Sequence, residues 1–343
     1  MRRKWLLVIP VVLILFYFTG PKPARPVYSQ ILPVMPGNTA ALEADILLEE
    51  SSHHLKPDNE ARIIWANDSA KEITDYSIVY LHGFSASEKE ADPVHRNIAT
   101  EFDCNLYLSR LAEHGIDTSE QLINLTADKY WESAKRALAI GKKLGRKVIL
   151  MGTSTGASLA LQLAADFPND VAALILMSPN IAINDPFAWI LNDPWGLQVA
   201  RLVKHGNYVV SEDDRPQYRR YWNKPYRLEA AVALEEYLET AMTSENFKKV
   251  TQPVLLLYYY RDKIHQDSVV KVSAMLTMFE ELGTPENLKH KTDLPNTGNH
   301  VIGSPIKSHD VYAVQKEVEN FFISVLSIPP KVNLKDTLML LNR

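Results

Sequence analysis

A chain of 343 residues with one cysteine, Cys104, can form no disulfide of its own and build no cysteine-cluster metal site. No long basic tract is present either, and the formal net charge is -4. That balance excludes an electrostatic grip on nucleic acid and is easier to reconcile with a small or neutral substrate. Internal repeats are lacking. So is an apolar run of the roughly 20 residues that span a bilayer: the amino-terminal one, from Trp5 to Phe18, is shorter. What the chain does have is a globular composition, 46% hydrophobic and 23% charged, enough for a sizeable core. One large domain with an insertion, or two smaller domains, would both fit.

The amino terminus reads "MRRK" followed by "WLLVIPVVLILFYF", a basic flank ahead of an apolar core. A secretion signal and a short membrane anchor both look like this. The exit, "FYFTGPKP", lacks the small-x-small pattern of a cleavage site. The expectation is therefore an uncleaved anchor over 1–20 with the body outside the cytoplasm, on the periplasmic side in a Gram-negative cell. Secretion after cleavage is the alternative, and a buried core helix interrupted by Pro10 a third reading. Residues 21–40 contain "PKPARPVYSQILPVMPGN", a Pro-rich linker expected to stand off as a stalk.

Beyond the linker, a short helix is expected over Leu42–Leu48 and a strand over Ala61–Ala66. Continuously apolar runs then alternate with helical stretches: Ser77–Gly83, Asn105–Leu111, Lys147–Gly152 and Val171–Ser178 as strands, with helices near Pro93–Phe102, Ala127–Leu144 and after Thr155. Such strands belong to a parallel sheet covered on both faces, so the class is α/β. The alternation stops over 181–250, which is rich in Trp and Tyr. There Leu228, Ala231, Leu234, Leu238 and Ala241 mark one apolar helix face, which reads as a helical cap. A strand at Pro253–Tyr260, a helix at Ser268–Leu282, a short strand near Asn287–Thr292 and a helix at His309–Leu326 complete the core. The core would comprise 41–180 and 251–330, with a tail over 331–343.

"VILMGTSTGASLA", from Val148 to Ala160, turns from strand to helix at a serine. A sharp turn there crowds the backbone, so small residues are needed two places either side of Ser154; they are Gly152 and Gly156. The turn lifts the hydroxyl above the carboxyl edge of the sheet and onto a helix amino terminus. A plain helix cap is the competing reading of the same serine. A serine nucleophile needs a base and oxyanion donors. In "YLHGFSAS", Gly83 lets the loop turn close to the elbow, so the Phe84 N–H becomes one donor candidate; Thr155 offers the other. His82 reads as a structural hydrogen-bonder at the strand end. Among His205, His265, His290, His300 and His309, the base candidate is His300, in the turn-rich "LPNTGNHVIGS". Its acid partner is expected to be Asp262, at the carboxyl end of "VLLLYYY", with Asp267 as rival and Asp185 behind it.

On these motifs, the chain from about Ala61 to Leu326 resembles the α/β-hydrolase family. The resemblance is strongest to membrane-attached or secreted bacterial esterase-like members and to the monoacylglycerol-lipase type. His82-Gly83, the Gly152 to Gly156 elbow, Asp262 and His300 fall in the family order Ser, Asp, His. The resemblance implies a mostly parallel sheet of about eight strands flanked by helices, with a cap. It also implies a serine hydrolase cleaving acyl or lipid-like esters, working without metal or organic cofactor. Thioesterase, amidase and peptidase chemistry, or a non-catalytic binding protein, remain alternatives on the same fold. The expected partners are a small ester or lipid and, through the amino-terminal segment, a membrane; oligomeric state is not legible.

Overall fold

The computed structural model describes residues 2–331, so all but Lys331 of the expected tail lies outside the described residues. The first half of the chain runs α1 (Arg2–Phe18), α2 (Thr39–Ser51), β1 (Arg62–Ile64), β2 (Thr74–Leu81), α3 (Val94–Glu101), β3 (Asn105–Leu108), α4 (Ala127–Leu144), β4 (Gly145–Thr153), α5 (Thr155–Asp166) and β5 (Ala173–Met177). An excursion follows through α6 (Gly196–Val203), β6 (Tyr208–Val209), α7 (Pro216–Tyr221), β7 (Tyr226–Arg227), α8 (Leu228–Ala241) and α9 (Ser244–Lys249). The sheet then resumes with β8 (Val254–Tyr258), α10 (Val272–Glu281), β9 (Lys289–Asp293) and α11 (Val311–Ser324).

Seven strands form the central sheet in the order β1-β3-β2-β4-β5-β8-β9. Only β1 is antiparallel to its neighbour; every other pairing is parallel. Among the described residues the sheet has seven strands, against about eight expected. Strands β6 and β7 pair as a separate antiparallel ribbon within the excursion. Burial on both faces accounts for the continuous apolarity of the inner strands. Along β4, Val148 and Leu150 join the core under α4 and α5, while Ile149 and Met151 join the opposite core with α3 and α11.

Two expectations are corrected here. The Pro-rich segment forms no helix or strand between residues 21 and 36, but it is no free stalk. A chain without internal backbone bonds leaves its carbonyls open, and α4 and α8 use them and their neighbours. The Trp131 indole donates to the Ser29 carbonyl at 2.8 Å, the Lys135 ammonium to that of Ile31 at 2.9 Å, and Tyr28 and Thr240 share a hydroxyl bond of 2.6 Å. The helix expected to carry the cap's own apolar face, α8, instead buries Ala230, Leu234, Tyr237 and Leu238 in the main core. At the other end of the chain, α1 spans 17 residues, and no helix among the described residues is long and apolar enough to cross a membrane. Its Phe16 ring stacks on Trp195 of the excursion with centroids 4.9 Å apart.

Candidate active site

Strand β4 ends at Thr153 and α5 begins at Thr155, leaving Ser154 alone to turn the chain. Its backbone adopts φ 54° and ψ -122°, a conformation a residue with a side chain occupies only when its surroundings impose it. Those surroundings are visible. The Ser154 N–H donates to the Met177 carbonyl at 2.9 Å, and its own carbonyl accepts from Asn180 at 3.1 Å. A Cβ on Gly156 would stand 2.0 Å from the Leu81 carbonyl oxygen, and one on Gly152 would strike the backbone of Gly156. Small residues are required at both places because β2, β4 and α5 converge there.

The loop after β2 lies directly against this elbow: a Cβ on Gly83 would come within 2.9 Å of the Ser154 Cβ. Two buried histidines shape that loop. His82 accepts from the Leu111 N–H at Nε2, 3.0 Å away, and its Nδ1 lies 2.9 Å from the Gly83 carbonyl. Burial lowers its pKa to about 4, so the ring is neutral and donates through Nδ1. His114 accepts the Ser85 N–H at 2.9 Å and faces the His82 ring edge-on. The sequence reading did not single out His114; its only sequence signal is its place in "AEHG", after the strand beside β2. Among the described residues, neither the Phe84 nor the Thr155 N–H finds an acceptor.

His300 is buried in the loop between β9 and α11, and its Nδ1 lies 2.6 Å from Oδ2 of Asp267. The other Asp267 oxygen, Oδ1, accepts the N–H groups of Val269 and Val270 at 2.8 and 3.1 Å, so this buried carboxylate is fully engaged. Burial alone would disfavour a charged imidazole, but Asp267 and, more weakly, Glu90 outweigh it, and the His300 pKa is raised. Asp262, the expected acid, is elsewhere. After β8 the chain makes a small excursion with Asp262 near its tip, exposed, its carboxylate bonded to the backbone of Ile264 and His265 and to the His265 ring at 2.9 Å. The excursion closes where Tyr260 pairs with Gln266, and the next residue, Asp267, is the one returned to the sheet edge. Asp185, the third candidate, caps its own turn by accepting from Phe187.

Ser154 and His300 line one cavity of about 330 Å³, with Phe84, Asn180, Trp222 and Lys224 on its walls. A buried carboxylate that the sequence reading missed, Glu90, lines it too. Its Oε2 accepts the Gly83 N–H at 2.5 Å, and burial raises its pKa to about 7 against the opposing pull of His300 and Gly83. Nothing in "SEKEADP" distinguishes Glu90 from its acidic neighbours, because its burial follows from the loop's return over the elbow. A second cavity, of about 300 Å³, adjoins the first under α6 and α8. It shares Phe84, Ile183, Tyr226 and Leu234 as common walls and is otherwise mainly apolar.

A family model described as serine aminopeptidase, S33 matches residues 128–286, less than half of the chain. No curated protein matches it by sequence. Solved structures do match by shape. One is from work on LipS and LipT, two metagenome-derived lipolytic enzymes, with TM-score 0.61 and 16% identity over 78% of this chain and 98% of that one. A monoacylglycerol lipase of Paleococcus ferrophilus gives 0.56 and 14%, over 77% and 98%. Est1E of Butyrivibrio proteoclasticus, solved with ferulic acid, gives 0.51 and 16%, over 78% and 95%. At such identities the likeness speaks for architecture, and together with the sheet order and the serine elbow it identifies the fold of this chain as that of the α/β-hydrolases.

Proposed function

We propose that the chain is a serine hydrolase of carboxylic esters, with Ser154 as nucleophile, His300 as general base and Asp267 as the acid behind it. The observation that carries this reading is the His300 to Asp267 bond of 2.6 Å, made at a ring that lines the same cavity as the strained Ser154. With Nδ1–H donated to Asp267, the ring's Nε2 is the unprotonated nitrogen and can take the Ser154 proton. The hydroxyl oxygen then bonds to the ester carbonyl carbon, and the resulting oxyanion is received by the Phe84 and Thr155 N–H groups. Collapse expels the alcohol, which collects the proton from His300. Water, activated by the same ring, releases the acyl group from Ser154. The adjoining apolar cavity under α6 and α8 is the natural seat for an acyl or aryl group.

Peptidase chemistry is the second reading, because the matching family model is described as an aminopeptidase. A free amino terminus would call for an ionised carboxylate in the cavity. Glu90 is the carboxylate among the lining residues, and it is buried, bonded to Gly83 and, with its pKa raised to about 7, only partly ionised at neutral pH, while Lys224 and Lys307 line the same walls. That charge pattern favours the ester reading. Attachment to a membrane through the amino-terminal segment draws support from the exposed apolar side chains of α1, such as Leu13, Leu15 and Phe18, and of the nearby excursion, such as Trp189 and Leu202.

The test is a chain-length series of 4-nitrophenyl esters, with aminoacyl 4-nitroanilides alongside. Turnover of the esters should fall by orders of magnitude in Ser154→Ala, and a fluorophosphonate should label Ser154 in the wild type. Equal ester turnover in variant and wild type would defeat the reading, and preferred cleavage of the anilides would replace it with the peptidase one.

A further inference from the structure

Lys224 is a cation without a counter-ion in the wall of the catalytic cavity. It is partly buried, and among the described residues no carboxylate lies within ion-pair distance of its ammonium and no acceptor receives its N–H groups. Its ammonium lies over the Tyr226 ring face, 5.6 Å from Nζ to the centroid. Lys307, which lines the same cavity, is already committed: its ammonium bonds Oδ2 of Asp213 at 2.5 Å and lies 4.0 Å above the Tyr218 ring. That aspartate is shared in turn, because Arg215 holds both its oxygens at 2.8 and 2.7 Å. Of the two lysines lining the cavity, Lys307 thus shares its carboxylate with Arg215, and Lys224 has none. Burial, and then the Lys307 charge, both disfavour the charged form of Lys224 and lower its pKa. An unpaired ammonium held beside another cation is a cost the fold carries unless something else in the cavity offsets it.

Resting on the ester-hydrolase reading above, we infer that the substrate is an amphiphilic ester carrying an anionic group, carboxylate or phosphate, which binds Lys224 while its apolar part enters the cavity under α6 and α8. The geometry separates the two ends. Ser154 and His300 occupy the cavity that Lys224 lines, and Phe84, Ile183, Tyr226 and Leu234 form the walls common to it and the apolar chamber. An ester whose carbonyl sits at Ser154 can thus place a hydrocarbon end in one chamber and a charged end in the other. Neutral esters would leave Lys224 unpaired and gain nothing from it.

Two matched pairs of substrates test this and distinguish the possible sources of the anion. One pair is the 4-nitrophenyl hydrogen and methyl esters of adipic acid, with the charge on the acyl side. The other is a 1-acylglycerol 3-phosphate and the 1-monoacylglycerol of the same chain, with the charge on the alcohol side. In at least one pair kcat/KM should favour the anionic member by about tenfold, the size expected of one charge-assisted hydrogen bond. That ratio should collapse towards unity in Lys224→Gln and return in Lys224→Arg, with circular dichroism and thermal melting reporting that each variant is folded. The pair that shows the preference identifies the source of the anion. A ratio near unity in both pairs, or a preference that survives Lys224→Gln, overturns the inference. Should the wild type leave all four esters intact, the hydrolase reading falls by itself, and calorimetric titration of phenylphosphonate decides the subsite separately. Binding lost in Lys224→Gln supports it; binding equal or absent in both chains overturns it.

Discussion

Asp262 and Asp267 lie five residues apart in one loop, yet only one is in a position to orient a base. Asp267 is buried, takes two backbone N–H groups on one oxygen and gives the other to His300. Asp262 faces solvent with His265, which makes it an ordinary surface pair. Replacing Asp267 with Asn keeps the volume but swaps an acceptor for an N–H donor or a weaker acceptor at Oδ2, so His300 loses its charge partner and its tautomer is no longer fixed. Loss of about 10³ to 10⁴ in kcat is expected for Asp267→Asn, on the scale known for such substitutions. Asp262→Asn should leave kcat/KM within about twofold, since its surface pair with His265 touches neither the His300 ring nor the catalytic cavity. Steady-state kinetics on 4-nitrophenyl butyrate compares the two directly, and a larger loss at Asp262 would return the acid role to it.

The Pro-rich strap, residues 21 to 36, couples local sequence to packing at the scale of elements. It closes one side of α4 through Trp131 and Lys135, reaches α8 through Tyr28, and buries Met35 in the main core. Removing residues 1–20 leaves these contacts in place, so melting temperature should barely change. Removing residues 1–36 strips the part-buried hydrogen bonds of Tyr28, Ser29 and Ile31, further ones made by Pro21, Val27 and Gln30, and a buried methionine, of which the part-buried bonds and the methionine alone are worth about 3 kcal/mol. For a chain of this size that is a fall of about 4 °C, readable by calorimetry. A chain starting at Gly37 that melts with the one starting at Pro21 would show the strap to be dispensable. Sequence reading failed here for a physical reason. Proline content argues against regular structure, correctly, but says nothing of carbonyls that side chains elsewhere can use. Where periodicity alone decides, as at α4 over Ala127–Leu144 or at the inner strands, the sequence was legible almost to the residue. The elbow was legible because its glycines answer a local steric demand. Asp267, Glu90, His114 and Lys224 owe their roles to loops folding back over the sheet edge, and spacing along the chain carries no trace of that.

At the scale of the whole molecule, buried carboxylates give folding stability a direction with pH. Glu90 and Glu235 both have pKa values raised from 4.5 to about 7, foremost by burial. Between pH 4.5 and 7 the folded chain therefore holds protons at these sites that the unfolded chain has released. Protonation linked to folding in this sense stabilises fully below the unfolded value and is lost as pH rises through the folded one. Glu88 runs the other way: burial opposes ionisation, but His95, Arg96 and Lys89 outweigh it and lower its pKa to about 2. Its contribution is present above the unfolded value and disappears only in acid. The two opposed trends place the maximum of these contributions near pH 4.5, with a decline as pH rises from there to about 7. Glu90→Gln removes one of the groups that cause that decline while keeping an oxygen for the Gly83 N–H. Relative to wild type it should gain up to about 3 kcal/mol of stability at pH 8.5 and little at pH 4.5. Urea unfolding at the two pH values measures the difference. The same substitution takes a negative charge away from His300, whose imidazolium Glu90 supports. The base then ionises at lower pH, and the acid limb of kcat/KM should move to lower pH in step with the stabilisation. A variant that flattened the stability profile but left the limb in place would mean that Glu90 and His300 do not sense each other, although both line one cavity.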